Sequence, residues 1–297
     1  MTNVFLDALR RDRPLILDGG LSTQLEAQGC DISGVLWSAE LLRSNPDEIV
    51  RATRAFVDAG AECVATATYQ ASREGFAQAG VTADEADALM LRAVDLARLA
   101  EPAIVAASLG PYGAMLHDGS EYRGDYDASA VTLRDFHEER LTLLDERGAD
   151  VLALETVPSF IEARVLAELL ADCVLPSWVS FSCRDGECIS DGTPIEEAVA
   201  PFAAHPRVAA VGINCTPPQF APELIRRIRS ALPDKVVMAY PNSGEVYDAR
   251  TGSWSGTVTA TDCAAAAVTW VEAGAGIVGG CCRMGPEHIR AIRDALI

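Results

Sequence analysis

Residues 150–171 read DVLALETVPSFIEARVLAELLA, a short apolar run followed by a longer amphipathic one. The run at 150–156 has the length and apolar content of a strand buried on both faces, and 159–171 has the pattern of a helix packed on a sheet. A strand followed by such a helix is the repeating unit of parallel α/β folds. The number of these units along the chain therefore decides the fold.

The same unit recurs along the whole chain of 297 residues. We predict eight strands, at 14–20, 62–69, 103–110, 150–156, 178–183, 208–215, 235–240 and 276–282. We predict helices at 46–59, 84–100, 129–148, 159–171, 194–204, 220–231, 260–273 and 286–296. Eight units favour one (β/α)8 TIM barrel that spans residues 1–297. A doubly wound open sheet is the alternative, because periodicity does not show whether a sheet closes.

The composition is that of an acidic protein with a large core. Hydrophobic residues make up 49% of the chain, and 43 acidic against 24 basic residues give a formal net charge of −19. Nucleic-acid binders usually carry a basic surface, so no nucleic-acid partner is expected. We find no secretory signal and no apolar run near the roughly 18 residues of a membrane span. The sequence predicts a cytoplasmic protein with no membrane partner, and nothing in it indicates an oligomeric state.

Two long segments follow predicted strands and are rich in Gly, Tyr and Asp, at 110–127 and 241–257. Loops after strands lie at the catalytic face of a barrel, so we predict that they are lids or substrate loops. Ordinary surface loops are the alternative. No GxGxxG follows the first predicted strand and no GxxxxGK[ST] occurs, which disfavours dinucleotide and P-loop nucleotide sites.

Five reactive residues stand at the carboxyl ends of predicted strands: Asp18, Glu155, Cys215, Cys281 and Cys282. In a barrel these ends converge on one mouth. Three thiolates suit Zn²⁺, and three protein ligands leave a fourth position for a substrate. From spacing alone the zinc site is one option. Cysteines that fill the core, and a disulfide between the two adjacent cysteines, also explain these thiols.

The other cysteines are predicted to lie outside this site. Nine cysteines are present in all. Cys63, Cys173 and Cys263 fall in strand or helix patterns, which predicts core positions. Cys183 and Cys188 flank RDGE and are interpreted as loop thiols, with a second small site as the alternative. Cys30 has no assignment.

Three motifs together resemble the homocysteine S-methyltransferase family: DGGLSTQLE at 18–26, NCTPP at 214–218 and GGCC at 279–282. TATYQASREGF at 66–76 and YPNSGEVYDA at 240–249 are similar to its bacterial branch that uses S-methylmethionine. The resemblance runs from about residue 14 to residue 290. It implies a (β/α)8 barrel with one zinc ion bound by Cys215, Cys281 and Cys282, and the homocysteine thiolate in the fourth position.

The resemblance also implies how homocysteine binds. Acidic residues at Asp18 and Glu155 would hold its amino group, and the backbone amides of Gly19 and Gly20 would meet its carboxylate. A tight turn is the alternative for Asp18-Gly19-Gly20. Glu155 lies in an otherwise apolar strand, where an unpaired buried carboxylate is costly. Pairing with the ammonium group of a ligand would explain its presence there.

The methyl donor has its own predicted contacts. Trp37 matches an aromatic residue of the family near the donor, and Tyr69 and Gln70 are expected to line the same pocket. An aromatic face attracts a sulfonium, by roughly 0.5–2 kcal/mol. For all three residues, packing or loop anchoring is the alternative.

The expected activity is zinc-dependent methyl transfer from S-methylmethionine to homocysteine, which gives methionine, with S-adenosylmethionine as a further donor. Selenocysteine or selenohomocysteine is an alternative acceptor. Two other classes stay open at this point. One is a thiol protein that binds zinc or senses redox without catalysis, and the other is a zinc-free hydrolase with Asp18 and Glu155 as acid and base.

Overall fold

A computed structural model of the protein describes residues 3–34, 36–145, 148–244, 246–248, 253–255 and 258–297, with the backbone alone in the two short ranges. Eight parallel strands form one sheet. They are β1 Leu15–Ile16, β2 Cys63–Ala65, β3 Ile104–Leu109, β4 Val151–Val157, β5 Ser177–Phe181, β6 Val208–Asn214, β7 Val236–Tyr240 and β8 Ala275–Val278.

The order of the strands in the sheet is β1, β8, β7, β6, β5, β4, β3, β2. A parallel bridge between Leu17 and Cys63 joins the first strand to the last in this order and closes the sheet. The backbone amide of Asp18 donates to the Cys63 carbonyl at 3.0 Å across the same seam. The predicted (β/α)8 barrel is therefore confirmed, and the alternative of an open doubly wound sheet is wrong.

Helices follow the strands and cover the outside of the barrel. The longer ones are Pro46–Ala59, Ala83–Leu99, Ala130–Asp145, Phe160–Leu169, Ala221–Ala231, Ala260–Ala273 and Pro286–Leu296. Shorter ones are Val4–Ala8, Leu21–Ala27, Leu41–Ser44, Arg73–Gln78, Tyr112–Leu116 and Ile195–Val199. Single 3₁₀ turns lie at Trp37–Glu40, Ser120–Tyr122, Leu170–Asp172, Ala200–Phe202 and Pro218–Phe220, and an antiparallel pair is formed by Val246–Asp248 and Ser253–Ser255. Among the described residues, no helix is long and apolar enough to span a bilayer.

The inside of the barrel changes from apolar to polar toward the carboxyl ends of the strands. Val151 and Ala153 of β4 belong to the interior core, whereas Leu152 and Leu154 belong to the layer beneath the helices. Side chains of a strand alternate between its faces, so Glu155 is the next inward position after Ala153. The same alternation places a ring of polar side chains above the apolar core, and these begin the site.

Gly212 lies in β6 where its neighbour β7 leaves no room for a side chain. A Cβ atom there would be 1.9 Å from the backbone oxygen of Met238. We expect Gly212→Ala to lower the free energy of unfolding by at least about 3 kcal/mol, because the barrel must open to admit a methyl group. Gly34→Ala is the control, since no atom lies within 4 Å of its added Cβ. Denaturant titration of both variants tests this, and equal stabilities would contradict it.

Candidate active site

A cavity of about 960 Å³ opens at the carboxyl ends of the barrel strands. Its size is within the range of small-molecule sites. All of the predicted site residues line it: Asp18, Gly19, Gly20, Trp37, Tyr69, Gln70, Glu155, Cys215, Cys281 and Cys282. The structure therefore brings together residues from the two ends of the chain, from Asp18 to Cys282.

Three cysteine sulfurs form a cluster in the cavity wall. Cys215 directly follows β6, and its φ of +46° turns the chain out of the strand. The sulfurs of Cys215, Cys281 and Cys282 all lie within 4.8 Å of one another, and 4.0 Å separates those of Cys215 and Cys282. Cys215 and Cys281 are joined as a disulfide, whereas Cys282 is a free thiol. The disulfide considered from sequence, between Cys281 and Cys282, is thus wrong: the Cys281 sulfur meets Cys215 across the mouth.

The donor set of this cluster fits a zinc ion. A tetrahedral shell with Zn–S bonds of about 2.3 Å places its sulfurs about 3.8 Å apart, close to the 4.0 Å between the sulfurs of Cys215 and Cys282. The disulfide between Cys215 and Cys281 must be reduced before both of these sulfurs can bind a metal ion. In the part of the chain that the structure describes, this is the single group of three metal-binding side chains found. Burial raises the pKa of Cys282 to about 11, and the Tyr122 hydroxyl, which hydrogen-bonds this thiol, lowers it. A cation is therefore needed to hold this group as a thiolate at neutral pH.

The two glycines of the GGCC motif explain how the cluster is positioned. A Cβ on Gly279 would lie 2.6 Å from the Cβ of Leu17, and one on Gly280 would lie 2.6 Å from the Cβ of Met284. The amide of Cys281 donates to the Pro241 carbonyl at 2.9 Å, which fixes the segment after β8 against that after β7. Only glycine lets the chain pass between β1 and Met284 and deliver both cysteines to the mouth.

Glu155 and Asp18 are two buried carboxylates, 8% and 9% exposed. Glu155 accepts hydrogen bonds from the Ser108 hydroxyl at 2.7 Å and the Tyr240 hydroxyl at 3.1 Å. Burial raises the pKa of Glu155 to about 7, although both hydroxyls lower it. Burial also raises the pKa of Asp18, which accepts from the Ala65 amide at 2.8 Å and lies close enough to Glu155 for like-charge repulsion. Both acids therefore favour a positively charged ligand.

A polar network under Glu155 was not identified from the sequence. The Asn214 Oδ1 atom accepts from the Thr156 amide at 2.7 Å and the Ser180 hydroxyl at 2.8 Å, and its Nδ2 donates to the Thr156 hydroxyl. This holds Thr156 at a φ of +61°, which is rare for a β-branched residue. Tyr240, Ser108 and Asn214 occupy inward positions of their strands, so strand alternation was the signal that could have found them.

Gly20 corrects one sequence prediction. Its amide, expected to meet a substrate carboxylate, donates to the Met284 carbonyl at 2.9 Å. A Cβ on Gly20 would lie 2.7 Å from the Cys281 carbonyl, and one on Gly19 would lie 2.2 Å from that of Met284. The close approach of the chain after β8 therefore accounts for both glycines. A contact from the Gly19 amide to substrate stays a prediction.

The predicted donor residues lie on one side of the cavity. The rings of Trp37 and Tyr69 meet edge to face with centroids 6.4 Å apart. Gln70 donates from Nε2 to the Ala114 carbonyl at 3.0 Å, so it anchors the helix Tyr112–Leu116. Buried Arg140 donates to the carbonyls of Tyr69 at 2.9 Å and Gly110 at 2.8 Å, which fixes the strand ends behind the Tyr69 ring. Anchoring is thus present for Gln70, and donor contact stays a prediction for all three.

The first predicted lid segment, 110–127, borders the cavity. Its residues Asp118, Gly119, Glu121 and Tyr122 line the wall. The segment is tied to buried Glu162, which accepts from the Tyr112 amide at 2.8 Å and from the Tyr126 hydroxyl. Loop closure over a bound substrate stays a prediction.

The second predicted lid segment, 241–257, is described in part. Asn242 and Gly244 line the cavity, whereas residues 245, 249–252 and 256–257 lie outside the described residues.

The remaining cysteines lie outside the three-sulfur cluster. Cys63, Cys173 and Cys263 are buried, in agreement with core positions. Cys183 is a buried free thiol that lines the cavity, and Cys188 and Cys30 are half-buried free thiols.

Comparison with known proteins gives consistent matches along the chain. The sequence model of the family described as homocysteine S-methyltransferase matches residues 15–296. Homocysteine S-methyltransferase YbgG of Bacillus subtilis is 44% identical, with 94% of this chain and 93% of that protein covered. The homocysteine S-methyltransferase of Escherichia coli is 43% identical, with 94% of each covered. The metallated crystal structure of the E. coli homocysteine methyltransferase MmuM superposes with a TM-score of 0.88 at 39% identity, over 98% of this chain and 99% of that one.

Proposed function

The chain belongs to the homocysteine S-methyltransferase family, and on this premise we propose that it transfers the methyl group of S-methylmethionine to homocysteine at a zinc ion held by Cys215, Cys281 and Cys282. Methyl transfer to homocysteine is the activity of the family. The observation that supports the zinc site is the cluster of three sulfurs within 4.8 Å of one another, in the same cavity as two buried carboxylates.

The three cysteines would hold the zinc ion. When bound, zinc would supply a centre that takes the homocysteine sulfur as its fourth ligand and keeps it deprotonated, and three thiolate ligands would leave that sulfur electron-rich and nucleophilic. A shell of neutral histidines would instead keep a positive charge, which suits water activation. The sulfur donor set therefore supports alkyl transfer to a thiol over hydrolysis.

Glu155 and Asp18 would bind the ammonium group of homocysteine. Burial raises the pKa of both carboxyl groups, because it removes the water that stabilises their charge. A cation placed between them would lower both pKa values and would be attracted to the two carboxylates. The Ser108 and Tyr240 hydroxyls orient the Glu155 carboxylate by donating to its two oxygens. This arrangement fixes the amino-acid end of the acceptor and directs its sulfur toward the cysteines.

The transfer itself is a displacement at the methyl carbon. A lone pair of the homocysteine thiolate forms the new S–CH₃ bond, while the old bond breaks and its electron pair returns to the donor sulfur. The sulfonium becomes a neutral thioether, so S-methylmethionine and homocysteine each give methionine. The protein contributes mainly orientation of the two sulfurs. The edge-on pair of Trp37 and Tyr69 supplies aromatic surface for the sulfonium, worth roughly 0.5–2 kcal/mol.

Zinc analysis and product analysis on one sample test this proposal. Protein purified with a thiol reductant is expected to hold one zinc per chain and to form methionine from homocysteine and S-methylmethionine, faster than from S-adenosylmethionine. Protein with one bound zinc that yields no methionine from any sulfonium donor would contradict the proposal and leave a zinc-binding thiol protein. A higher rate with selenocysteine than with homocysteine would change the acceptor.

A further inference from the structure

Glu121 is a further acidic residue in the cavity wall, with no role in the mechanism above. It lies in the 3₁₀ turn Ser120–Tyr122. Its carbonyl accepts a hydrogen bond from the Ser182 hydroxyl at 2.8 Å, at the end of β5. Gly113 packs so closely that a Cβ there would lie 2.8 Å from the Glu121 amide. The contacts with Ser182 and Gly113 thus fix the backbone of Glu121, and with it the point from which its side chain enters the cavity.

The carboxylate of Glu121 is compensated only in part, by the charge of Arg123 and by its own backbone amide. Its Oε2 atom is buried, and none of the described residues gives it a hydrogen-bond partner. Arg123, two residues further on, donates to both oxygens of Asp125, at 3.1 and 3.3 Å, and to the Asp118 carbonyl at 3.0 Å. Burial raises the pKa of Glu121 to about 7. Asp18 and Glu155 differ, because each accepts hydrogen bonds from the barrel.

We propose that Glu121 is the counter-ion for the sulfonium of the methyl donor and selects cationic donors. The inference rests on the proposed function, since it assigns a residue to the donor of that reaction. A buried carboxylate oxygen without a partner is costly, and a ligand cation removes the cost. A donor without a positive charge would leave the oxygen unpaired, so the residue discriminates by charge.

The position of Glu121 favours the sulfonium over the homocysteine ammonium. Glu121 lies near enough to the Cys282 thiol and the Tyr69 hydroxyl to influence both electrostatically. The methyl group must approach a sulfur held beside Cys282, so the donor's charge falls in this part of the cavity. The homocysteine ammonium belongs to Asp18 and Glu155, of which Glu155 accepts from Ser108 in the barrel interior.

This assignment predicts a particular kinetic pattern. The sulfonium loses its charge as the methyl group moves, so Glu121 stabilises the bound donor more than the transition state. Its loss is expected to weaken donor binding without slowing the chemical step. Glu121→Gln should therefore raise KM for S-methylmethionine by about tenfold or more, with kcat unchanged or higher, and leave KM for homocysteine unchanged.

The experiment compares Glu121→Gln with Asp125→Asn in reduced, zinc-loaded protein. Asp125 is an exposed acid of the same loop, so its variant makes the same change in net charge. Methionine serves as a competitive inhibitor against S-methylmethionine, because it keeps the ammonium and carboxylate and lacks only the charged methylsulfonium. We expect weaker S-methylmethionine binding in Glu121→Gln alone, with the methionine inhibition constant unchanged in both variants.

Three results would overturn the inference. They are an unchanged KM for S-methylmethionine, an equal loss of methionine affinity (which would assign Glu121 to the ammonium), and the same KM rise in Asp125→Asn. Zinc content and thermal unfolding of each variant show that the fold is retained, and Glu121→Asp provides a second variant that should recover part of the affinity. A wild-type enzyme with no sulfonium-dependent methionine formation would instead refute the proposed function itself.

Discussion

Cys215→Ser is expected to lose its zinc and to reduce methyl transfer by at least about 10³-fold, because a serine hydroxyl is not deprotonated as readily as a thiol and two remaining thiolates hold zinc weakly. The fold should survive. Cys215 follows the last residue of β6 and lies at the cavity wall, outside the ladder of the barrel. The measurement is zinc per chain by metal analysis, together with the rate of methionine formation and the unfolding temperature.

Cys188→Ser is the matched control for that experiment. Cys188 is a half-buried free thiol that lies outside the three-sulfur cluster. It is expected to keep zinc and activity. If Cys215→Ser retained one zinc and its turnover, the metal and the chemistry would have to lie elsewhere.

Glu155→Gln is expected to raise KM for homocysteine by at least about tenfold, because a neutral amide cannot pair with the ammonium group. The same change should leave the unfolding temperature unchanged or raise it. Glu155 is 8% exposed with a pKa raised to about 7, so its ionised form is destabilised in the folded protein without ligand. An amide of the same shape removes that cost, since its oxygen can accept from one of the two hydroxyls and its NH2 group can donate to the other. Activity and stability should therefore move in opposite directions.

The pH dependence of homocysteine binding adds a second readout for Glu155. Because the pKa of Glu155 is raised to about 7, the carboxylate takes up a proton as the pH falls through 7, and the affinity for the ammonium should fall with it. Glu155→Gln should lack this step. Glu168→Gln, an exposed acid on the outer helix Phe160–Leu169, is the control and should behave as the wild type. A destabilised Glu155→Gln with unchanged KM would make Glu155 a structural residue.

The helices that the sequence predicted best have strong end signals. The helix Ala260–Ala273 agrees with its prediction, since Thr259 caps its start and Gly274 follows its end in the left-handed region. The helix Pro286–Leu296 agrees as well, with proline at its first position. The predicted helix 194–204 is shorter, Ile195–Val199, because its last residues form the 3₁₀ turn Ala200–Phe202.

Strand ends were predicted less well, for a reason that concerns the site. The apolar run at 14–20 contains the two residues of β1 and the bridging residue Leu17, because Gly19 and Gly20 leave the sheet to pack beneath Met284. The run at 276–282 likewise ends its ladder at Val278, and Gly279 and the residues after it carry the cysteines to the mouth. Functional residues thus lie just past the ladder, where local apolarity continues but pairing stops.

The part of the site that the sequence did not predict depends on register and loop packing. Ser108 and Tyr240 reach Glu155 from other strands, and which residues face one another there is set by the stagger of the barrel. Glu121 reaches the cavity only because Ser182 and Gly113 fix its turn. Neither the contacts of Glu155 nor the position of Glu121 can be predicted from spacing along the chain. The three cysteines could be predicted, because cysteine is a typical zinc ligand and all three stand at the ends of predicted strands.

Transfer of an isotopic label, with and without zinc, tests the central claim most directly. S-methylmethionine with deuterated methyl groups is mixed with homocysteine labelled with ¹³C in its carbon chain and with reduced protein, before and after removal of zinc by a chelator. The proposed mechanism predicts that deuterated methyl groups appear in methionine derived from homocysteine, that chelation stops this, and that one equivalent of zinc per chain restores it. Label transfer at an undiminished rate in zinc-free protein would contradict it.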